Sequence, residues 1–203
     1  MKDPHDQTNK TYKENFNKYA EKTPTEVNGE FKTWMDLFLS YIPKGSTVFE
    51  IGSATGRDAR YFHSLGYKVF CTDIVPQVLQ KLSTEGFEVA EFDFRNSPKP
   101  EWNNKFEGFF ANAVLLHATQ DIFEKTLKNI SLILKKDGII AFSLKAGEGE
   151  EVLSIKMEAP RYFKYYTEKK LKEIFKNLPY EILKIFHTSD KKWIHIIAKK
   201  IDF

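Results

Sequence analysis

The chain has 203 residues, of which 41% are hydrophobic and 29% are charged, a composition that supports a buried core and excludes intrinsic disorder. Its 31 Lys and Arg residues stand against 28 Asp and Glu residues, for a formal net charge of +3, and the two signs are interspersed, so no nucleic-acid-binding surface is indicated. At about 100–200 residues per domain, this length favours one α/β domain with its attachments.

Two helices are predicted before the first strand. Three aromatic side chains within residues 1–25 recur on one face of a helix: Tyr12, Phe16 and Tyr19. A second helix is predicted over residues 26–41 and is ended by Pro43 and Gly45. The N-terminal sequence MKDPHDQTNK lacks the apolar core of a signal peptide, and no apolar run reaches about 18 residues, so we expect neither secretion nor a membrane span.

Strands and helices alternate from residue 47 onward. The predicted strands are residues 47–51, 67–72, 87–92, 108–113, 139–144, 181–187 and 193–199. The predicted helices are residues 58–65, 76–85, 121–135 and 167–177. This alternation is typical of an α/β fold. We predict a doubly wound, mostly parallel, seven-stranded sheet with helices on both faces, whose last strand is antiparallel because a short hairpin precedes it.

Ligands of such sheets bind beyond the carboxyl ends of the strands, and the first of these ends carries the sequence EIGSATGRD at residues 50–58. Its small residues allow a tight turn and a close approach of a ligand to the backbone. The dinucleotide pattern G-x-G-x-x-G would require glycine at Ala54 and Arg57. The pattern G-x-G/A-x-G fits instead, through Gly52, Ala54 and Gly56.

Polar residues also follow the next strands. Asp73 closes the second strand and Asp93 the third, the sequence NAVLLH at residues 112–117 follows the fourth, and Asp137 with Gly138 forms a turn before the fifth. This ordered set resembles the class I S-adenosylmethionine (SAM)-dependent methyltransferases, over about residues 45–200.

The resemblance implies SAM as the cofactor. The backbone of residues 52–56 would lie against its methionine part, Asp73 would bind both ribose hydroxyls, and Asp93 with Phe94 would lie next to the adenine. A carboxylate suits a vicinal diol because it accepts two hydrogen bonds. Ala54 stands where the family more often has glycine, and its methyl group would crowd the ligand. The cofactor-binding residues that the resemblance implies are Tyr19, Glu50, Gly52, Ser53, Ala54, Gly56, Arg57, Asp73, Ile74, Asp93, Phe94, Asn112 and Ala113.

The resemblance divides the chain into an N-terminal helical cap, residues 1–44, and a SAM-binding Rossmann-like domain, residues 45–203. His117 is the candidate catalytic residue, because a neutral imidazole is a suitable general base near pH 7; a histidine packed under the site is the alternative. The candidate substrate-binding residues are Lys145, Arg161 and Tyr165, since positive charges and aromatic rings hold an anionic or π-rich molecule.

The absence of features that other methyltransferases use narrows the class of molecule that would accept the methyl group. The chain has no Pro-Pro pair of the D/N/S-P-P-Y/F/W motif that methylation of exocyclic base nitrogens uses. Its one cysteine, Cys71, precedes the fourth strand, whereas attack on cytosine C5 needs a cysteine beyond that strand. Of the acids that a metal site would need near the fourth strand, only Asp121 and Glu124 are present, so no metal is expected. We therefore predict a methyltransferase of a small molecule, with nucleic acid disfavoured as a partner.

Three alternatives stay open at this point: an RNA methyltransferase, a SAM-binding protein without catalysis, and an NAD-dependent oxidoreductase. A single cysteine forms neither an internal disulfide nor a multi-cysteine zinc site, so we expect a cytoplasmic protein. A monomer or a homodimer is expected.

Overall fold

The computed structural model describes residues 4–153 and 158–202, which form six α-helices and nine β-strands of one α/β fold. The helices are α1 (Pro4–Glu21), α2 (Gly29–Ser40), α3 (Arg57–Ser64), α4 (Pro76–Thr84), α5 (Gln120–Ile133) and α6 (Glu168–Phe175). The strands are β1 (Thr47–Ile51), β2 (Lys68–Asp73), β3 (Glu88–Glu91), β4 (Phe106–Ala111), β5 (Leu134–Ala146), β6 (Glu150–Leu153), β7 (Arg161–Tyr166), β8 (Tyr180–His187) and β9 (Trp193–Lys200). Within these ranges no helix combines the length and the apolar character that a membrane span requires.

Seven of the strands form the sheet that the sequence predicts. Five of them are parallel, in the order β3-β2-β1-β4-β5. The last strand, β9, pairs antiparallel with β5, and β8 pairs antiparallel with β9 at the edge. The predicted α/β class, the mostly parallel sheet and the antiparallel last strand are confirmed.

The structure adds two strands, β6 and β7, to these seven. They pair antiparallel with each other, and the end of β7 also pairs in parallel with Lys145 and Ala146 of β5. The pairing of β4 with β5 stops at Ala111 and Phe142, which leaves the last residues of β5 with an open edge. The aromatic run at residues 161–166, which is not among the seven predicted strands, has high β propensity and fills that edge.

Two apolar clusters cover the two faces of the sheet. Phe49 and Phe109 belong to the cluster with α5 and α6, whereas Phe110 belongs to the cluster with α2, α3 and α4. Neighbouring residues of a strand point to opposite faces, so Phe109 and Phe110 serve different clusters. The ring of Phe110 lies 4.8 Å from that of Trp34 in α2 and 4.9 Å from that of Phe62 in α3. Helices therefore cover both faces, as predicted.

The two N-terminal helices differ in what they bury. The buried side chains of α2 are apolar: Trp34, Met35, Phe38 and Leu39. The buried side chains of α1 are polar: His5, Thr8 and Thr11. The predicted cap, residues 1–44, thus contains two unlike helices. One of them, α2, packs on the sheet as part of the core. Only α1 is placed over the strand ends.

The core role of α2 predicts a large loss of stability on truncation of Trp34, which is fully buried. Trp34→Ala should lower the free energy of unfolding by about 3–5 kcal/mol, the usual cost of truncating a buried aromatic side chain. Leu132→Ala, at a position that is 56% exposed, should change it by less than about 0.5 kcal/mol. Urea denaturation measures both values. A loss below about 1 kcal/mol for Trp34→Ala would show that α2 is not part of the core.

Candidate functional site

A cavity lies at the carboxyl ends of β1 to β4, the edge at which parallel sheets bind ligands. The strand ends contribute Ile51, Gly52, Ala54, Asp73, Ile74, Val75, Phe92, Phe94, Asn112, Ala113, Val114 and His117 to its lining. The roof is α1, which contributes His5, Thr8, Asn9, Tyr12, Phe16 and Tyr19. Apolar and aromatic side chains dominate this lining, and a few polar groups converge among them, as is usual for small-molecule sites. We call this space the strand-end cavity.

The loop between β1 and α3 is shaped by glycine. Gly52 has a φ of +66°, and a Cβ atom there would lie 2.5 Å from Cγ2 of Val114, so a larger residue would clash. The N–H of Ser53 donates to the carbonyl of Thr72 (3.1 Å), and the N–H of Gly56 donates to the carbonyl of Ser53 (2.8 Å). The loop is thus fixed against the end of β2 and exposes its backbone to the strand-end cavity.

Asp73, the last residue of β2, accepts hydrogen bonds from the backbone of this loop and of the loop that follows β2. One carboxylate oxygen accepts the N–H of Ala54 (2.9 Å) and the other accepts the N–H of Val75 (3.0 Å). Burial raises the pKa of Asp73 above its usual range, although these backbone N–H groups act in the opposite direction. A carboxylate offers about four lone-pair sites, so both oxygens keep the capacity to accept hydrogen bonds from a ligand.

Two buried acids lie behind the loop. Asp58 accepts from Nε of Arg57 (2.6 Å) and from the side-chain amide of Asn112 (3.1 Å), whose oxygen accepts from the hydroxyl of Ser143 (2.8 Å). Glu50 is 2% exposed, and its Oε2 has no hydrogen-bond partner among the described residues. Burial and the negative charge of Asp58 raise the pKa of Glu50 from 4.5 to about 8. Its carboxyl group is therefore mostly protonated at pH 7.

His117 is held in a single tautomer. Its Nδ1 lies 2.6 Å from the carbonyl oxygen of Tyr162, which only accepts, so Nδ1 carries the proton. Its Nε2 then accepts from the hydroxyl of Tyr12 (2.9 Å), and that hydroxyl oxygen accepts from the guanidinium of Arg161 (3.2 Å). Burial, together with the positive charge of Arg161, lowers the pKa of His117 to about 3. The ring is neutral at pH 7 and is a weak base.

Hydrogen bonds attach α1 to β7, to Pro160 just before that strand, and to His117. The hydroxyl of Thr11 donates to the carbonyl of Pro160 (2.6 Å), and the N–H of Tyr162 donates to the hydroxyl of Thr8 (3.0 Å). The contact between Tyr12 and His117 adds a third attachment. These hydrogen bonds fix the roof of the cavity, beside the packing of Tyr12 and Phe16 on the apolar core.

Asp93 does not line the strand-end cavity. Its side chain instead helps to hold α1 in place. Its carboxylate accepts from the side-chain amide of Asn9 (2.8 Å) and from the guanidinium of Arg95 (2.7 Å). Arg95 also pairs with Asp6 of α1 (2.8 Å). Burial acts to raise the pKa of Asp93, but the hydrogen bonds from Arg95 outweigh it and leave that pKa below its usual range. The carboxylate of Asp93 thus already accepts hydrogen bonds from Asn9 of α1 and from Arg95.

The structure brings most of the predicted cofactor-binding residues together in the cavity lining: Tyr19, Gly52, Ala54, Asp73, Ile74, Phe94, Asn112 and Ala113. His117 lines it as well. The predicted cofactor-binding residues outside the lining are Glu50, Ser53, Gly56, Arg57 and Asp93. Apart from Asp93, these residues belong to the loop between β1 and α3 or flank it.

The three predicted substrate-binding residues also lie outside the lining, in different surroundings. Lys145 places its Nζ 4.2 Å from the centre of the Trp193 ring. The hydroxyl of Tyr165 donates to the carboxylate of Glu151. Arg161 alone contacts a lining residue, Tyr12, as described above. Lys145 and Tyr165 are therefore not brought to this site.

Several lining residues are absent from the sequence prediction, above all His5, Thr8 and Asn9 of the roof. A signal for two of them is present in the chain. The predicted aromatic face of Tyr12, Phe16 and Tyr19 continues towards the N-terminus at helical spacing through Thr8 and His5. Periodicity scored on apolar residues alone misses these polar positions.

The cavity has the chemistry that a nucleoside joined to an amino acid requires, as in SAM. It holds the buried carboxylate of Asp73, the apolar side chains of Ile74 and Phe94, and a loop backbone that Gly52 leaves without a side chain. Among the residues that the structure describes, no three His, Cys, Asp or Glu side chains are grouped to hold a metal ion.

The raised pKa of Glu50 predicts a pH dependence of stability. Because its folded pKa of about 8 exceeds 4.5, the native state binds more protons than the unfolded chain between these values. The stabilising contribution of the protonated Glu50 carboxyl group is complete below the unfolded-state pKa of 4.5 and is lost as the pH rises through the folded-state pKa of about 8. In urea denaturation the wild type should therefore lose stability relative to Glu50→Gln as the pH rises. Glu101→Gln, at an exposed position, should track the wild type. A difference between wild type and Glu50→Gln that does not change with pH would contradict this account.

Solved structures share this fold. The 1,6-didemethyltoxoflavin-N1-methyltransferase of Burkholderia thailandensis, solved with 1,6-didemethyltoxoflavin and S-adenosylhomocysteine, has a TM-score of 0.76 at 17% identity, over 100% of this chain and 92% of that chain. A SAM-dependent methyltransferase of Methanosarcina mazei has a TM-score of 0.68 at 16% identity, over 81% of this chain and 97% of that one. A protein of Rhodobacter sphaeroides named for Zn-dependent alcohol dehydrogenases has a TM-score of 0.75 at 10% identity, over 100% of both chains. At these identities the likeness shows the fold alone.

The sequence itself assigns the family. The comparison with curated proteins finds no match. A family model described as a methyltransferase domain matches residues 19–185, which include β1 to β7, the loop at Gly52 and Asp73. This match decides against the oxidoreductase alternative. The chain belongs to the class I SAM-dependent methyltransferases.

Proposed function

We propose that this methyltransferase acts on a small-molecule acceptor, which binds together with SAM under α1. The observation that supports this most strongly is the roof. α1 crosses the strand ends, and His117 beneath it is only 5% exposed. A polymer would have to displace the helix to reach this position, whereas a small molecule would need only to enter beneath it. The Burkholderia thailandensis neighbour, which binds 1,6-didemethyltoxoflavin, is consistent with this class of acceptor.

The proposed cofactor site follows the lining. Asp73 would accept the ribose hydroxyls, Ile74 and Phe94 would flank the adenine, and the loop at Gly52 would hold the methionine part. Asn112 and Ala113 from the end of β4 and Tyr19 from α1 complete the proposed contacts. Glu50, Ser53, Gly56 and Arg57 would act by fixing the shape of the loop, and Asp93 by fixing α1. In this proposal α1 forms the lid of the predicted cap, residues 1–44, and α2 of that cap packs on the cofactor-binding domain, residues 45–203.

The chemistry requires little of the protein beyond alignment and exclusion of water. SAM supplies an activated methyl group when it is bound. The floor of the cavity would hold the acceptor's nucleophile in line with that methyl group, and α1 would exclude water. With its Nδ1–H donated to Tyr162 and its Nε2 accepting from Tyr12, neutral His117 would hold the Tyr12 ring in position against the acceptor. Its low basicity disfavours proton abstraction by His117 while Tyr12 and Arg161 stay in contact, so its catalytic role stays a prediction. A cytoplasmic location and the monomeric or homodimeric state also stay predictions.

Methyl transfer from SAM with a radiolabelled methyl group tests the function. We expect label in a small-molecule extract of the source cells and none in bulk tRNA or rRNA. Asp73→Asn should abolish this labelling and weaken binding of S-adenosylhomocysteine in calorimetry by at least about tenfold, because hydrogen bonds to a charged group contribute about 1.5–3 kcal/mol. Asp137→Asn is the matched control, since Asp137 is an exposed residue of β5 outside the strand-end cavity, with a φ of +60° that asparagine also adopts. It should bind and transfer like the wild type.

Each contrary result identifies an alternative. Label in RNA would show an RNA methyltransferase. Tight binding of S-adenosylhomocysteine without transfer to either fraction would indicate a SAM-binding protein without catalysis. Unchanged binding by Asp73→Asn would remove the proposed ribose contact.

A further inference from the structure

Arg161 differs from the other arginines of the chain. Three arginines are paired with carboxylates: Arg57 with Asp58, Arg60 with Glu85, and Arg95 with Asp93 and Asp6. Arg161 is only 6% exposed, yet no carboxylate within residues 4–153 or 158–202 forms an ion pair with it, and its Nε has no hydrogen-bond partner there. A buried guanidinium without a counter-charge is costly.

The groups around Arg161 offset only part of that cost. Its guanidinium donates to the hydroxyl of Tyr12 (3.2 Å), a neutral acceptor. Its central carbon lies 4.9 Å from the centre of the Phe163 ring and 5.7 Å from that of Tyr12, distances at which aromatic faces attract a cation. None of these partners carries a negative charge.

The position of Arg161 connects it to the strand-end cavity. Tyr12 and His117 line that cavity, and Arg161 lies directly behind the hydroxyl of Tyr12. This hydroxyl oxygen sits between a donor, the guanidinium, and an acceptor, Nε2 of His117 (2.9 Å). The group that contacts the guanidinium is thus a neutral hydroxyl of the roof helix α1, which leaves the charge of Arg161 unbalanced.

We propose that Arg161 binds a carboxylate of the methyl acceptor through the guanidinium N–H groups that the Tyr12 hydroxyl leaves open, Nε among them. The inference rests on the proposed function and narrows its substrate class to small aromatic acids. One guanidinium balances one carboxylate, and its planar N–H groups match the two carboxylate oxygens. A phosphate dianion would bring more charge than this single cation offsets. The rings of Phe163 and Tyr12 supply the apolar walls that suit an aromatic body.

Calorimetry with two probes of the same shape tests the inference on the full chain saturated with S-adenosylhomocysteine. Benzoate carries the carboxylate, and benzamide is its neutral counterpart. The wild type should bind benzoate at least about tenfold more tightly than benzamide, as a charge-assisted pair predicts. Arg161→Gln should lose this preference, and Arg161→Lys, which keeps the charge without the planar fork, should retain part of it.

Lys164→Gln is the matched control. Lys164 lies on the same strand, and its charge is already paired with Glu150 (3.1 Å), so this variant should keep the full preference for benzoate. Equal affinity of the wild type for the two probes would overturn the inference, whether or not the Arg161 variants fold. A preference that persists in Arg161→Gln would overturn it as well. Binding of S-adenosylhomocysteine is measured first: its absence would contradict the proposed function, whereas its presence without a preference for benzoate would contradict only the role of Arg161.

Discussion

The hydrogen bonds that hold α1 across the strand ends are the interaction on which the rest of the site depends. Without α1 the strand-end cavity is an open edge of the sheet, and His117 loses the partner of its Nε2. Such bonds contribute about 0.5–1.5 kcal/mol each. α2, by contrast, packs a fully buried Trp34 and Phe38 on the sheet. The site thus combines a rigid floor with a roof attached by weaker polar contacts, and elements of that kind open locally to admit ligands.

Burial decides which groups of the site carry charge. It holds Glu50 mostly protonated and His117 neutral at pH 7, and Asp58 is paired with Arg57. Asp73 and Arg161 are the buried groups left to offer charge to ligands. In our account Asp73 serves the hydroxyl groups of the cofactor, and Arg161 serves the acid group of the acceptor. A low-dielectric site makes both interactions stronger than they would be in water.

The sequence predicts the parts of the fold that local pattern controls. Alternating apolar strands and helices give the seven-stranded sheet, and the residues just after β1, β2 and β4 give the cavity floor, including Gly52, Asp73 and Asn112. Strand pairing that depends on a distant neighbour is not encoded locally. β7 forms because the pairing of β4 with β5 stops at Ala111, and residues 161–166 alone do not reveal that open edge.

Contacts between distant segments limit the prediction of the site as well. Asp93 follows its strand as expected, but its carboxylate is taken by Asn9, 84 residues away along the chain. The buried state of Arg161 depends on Tyr12, 149 residues away. Composition and residue spacing do not predict such pairings. The sequence therefore identifies these residues as candidates but does not predict which groups surround them in the fold.

Hydrogen exchange with and without S-adenosylhomocysteine tests the central claim most directly, which is that α1 encloses the cofactor site. The account predicts that the amides of α1 exchange at least about tenfold more slowly once the ligand is bound, since ligand contacts stabilise the closed roof. The amides of α2, which pack on the sheet, should not change. Protection of the loop at residues 52–56 without any protection of α1 would contradict the claim, because the ligand would then bind to the floor alone.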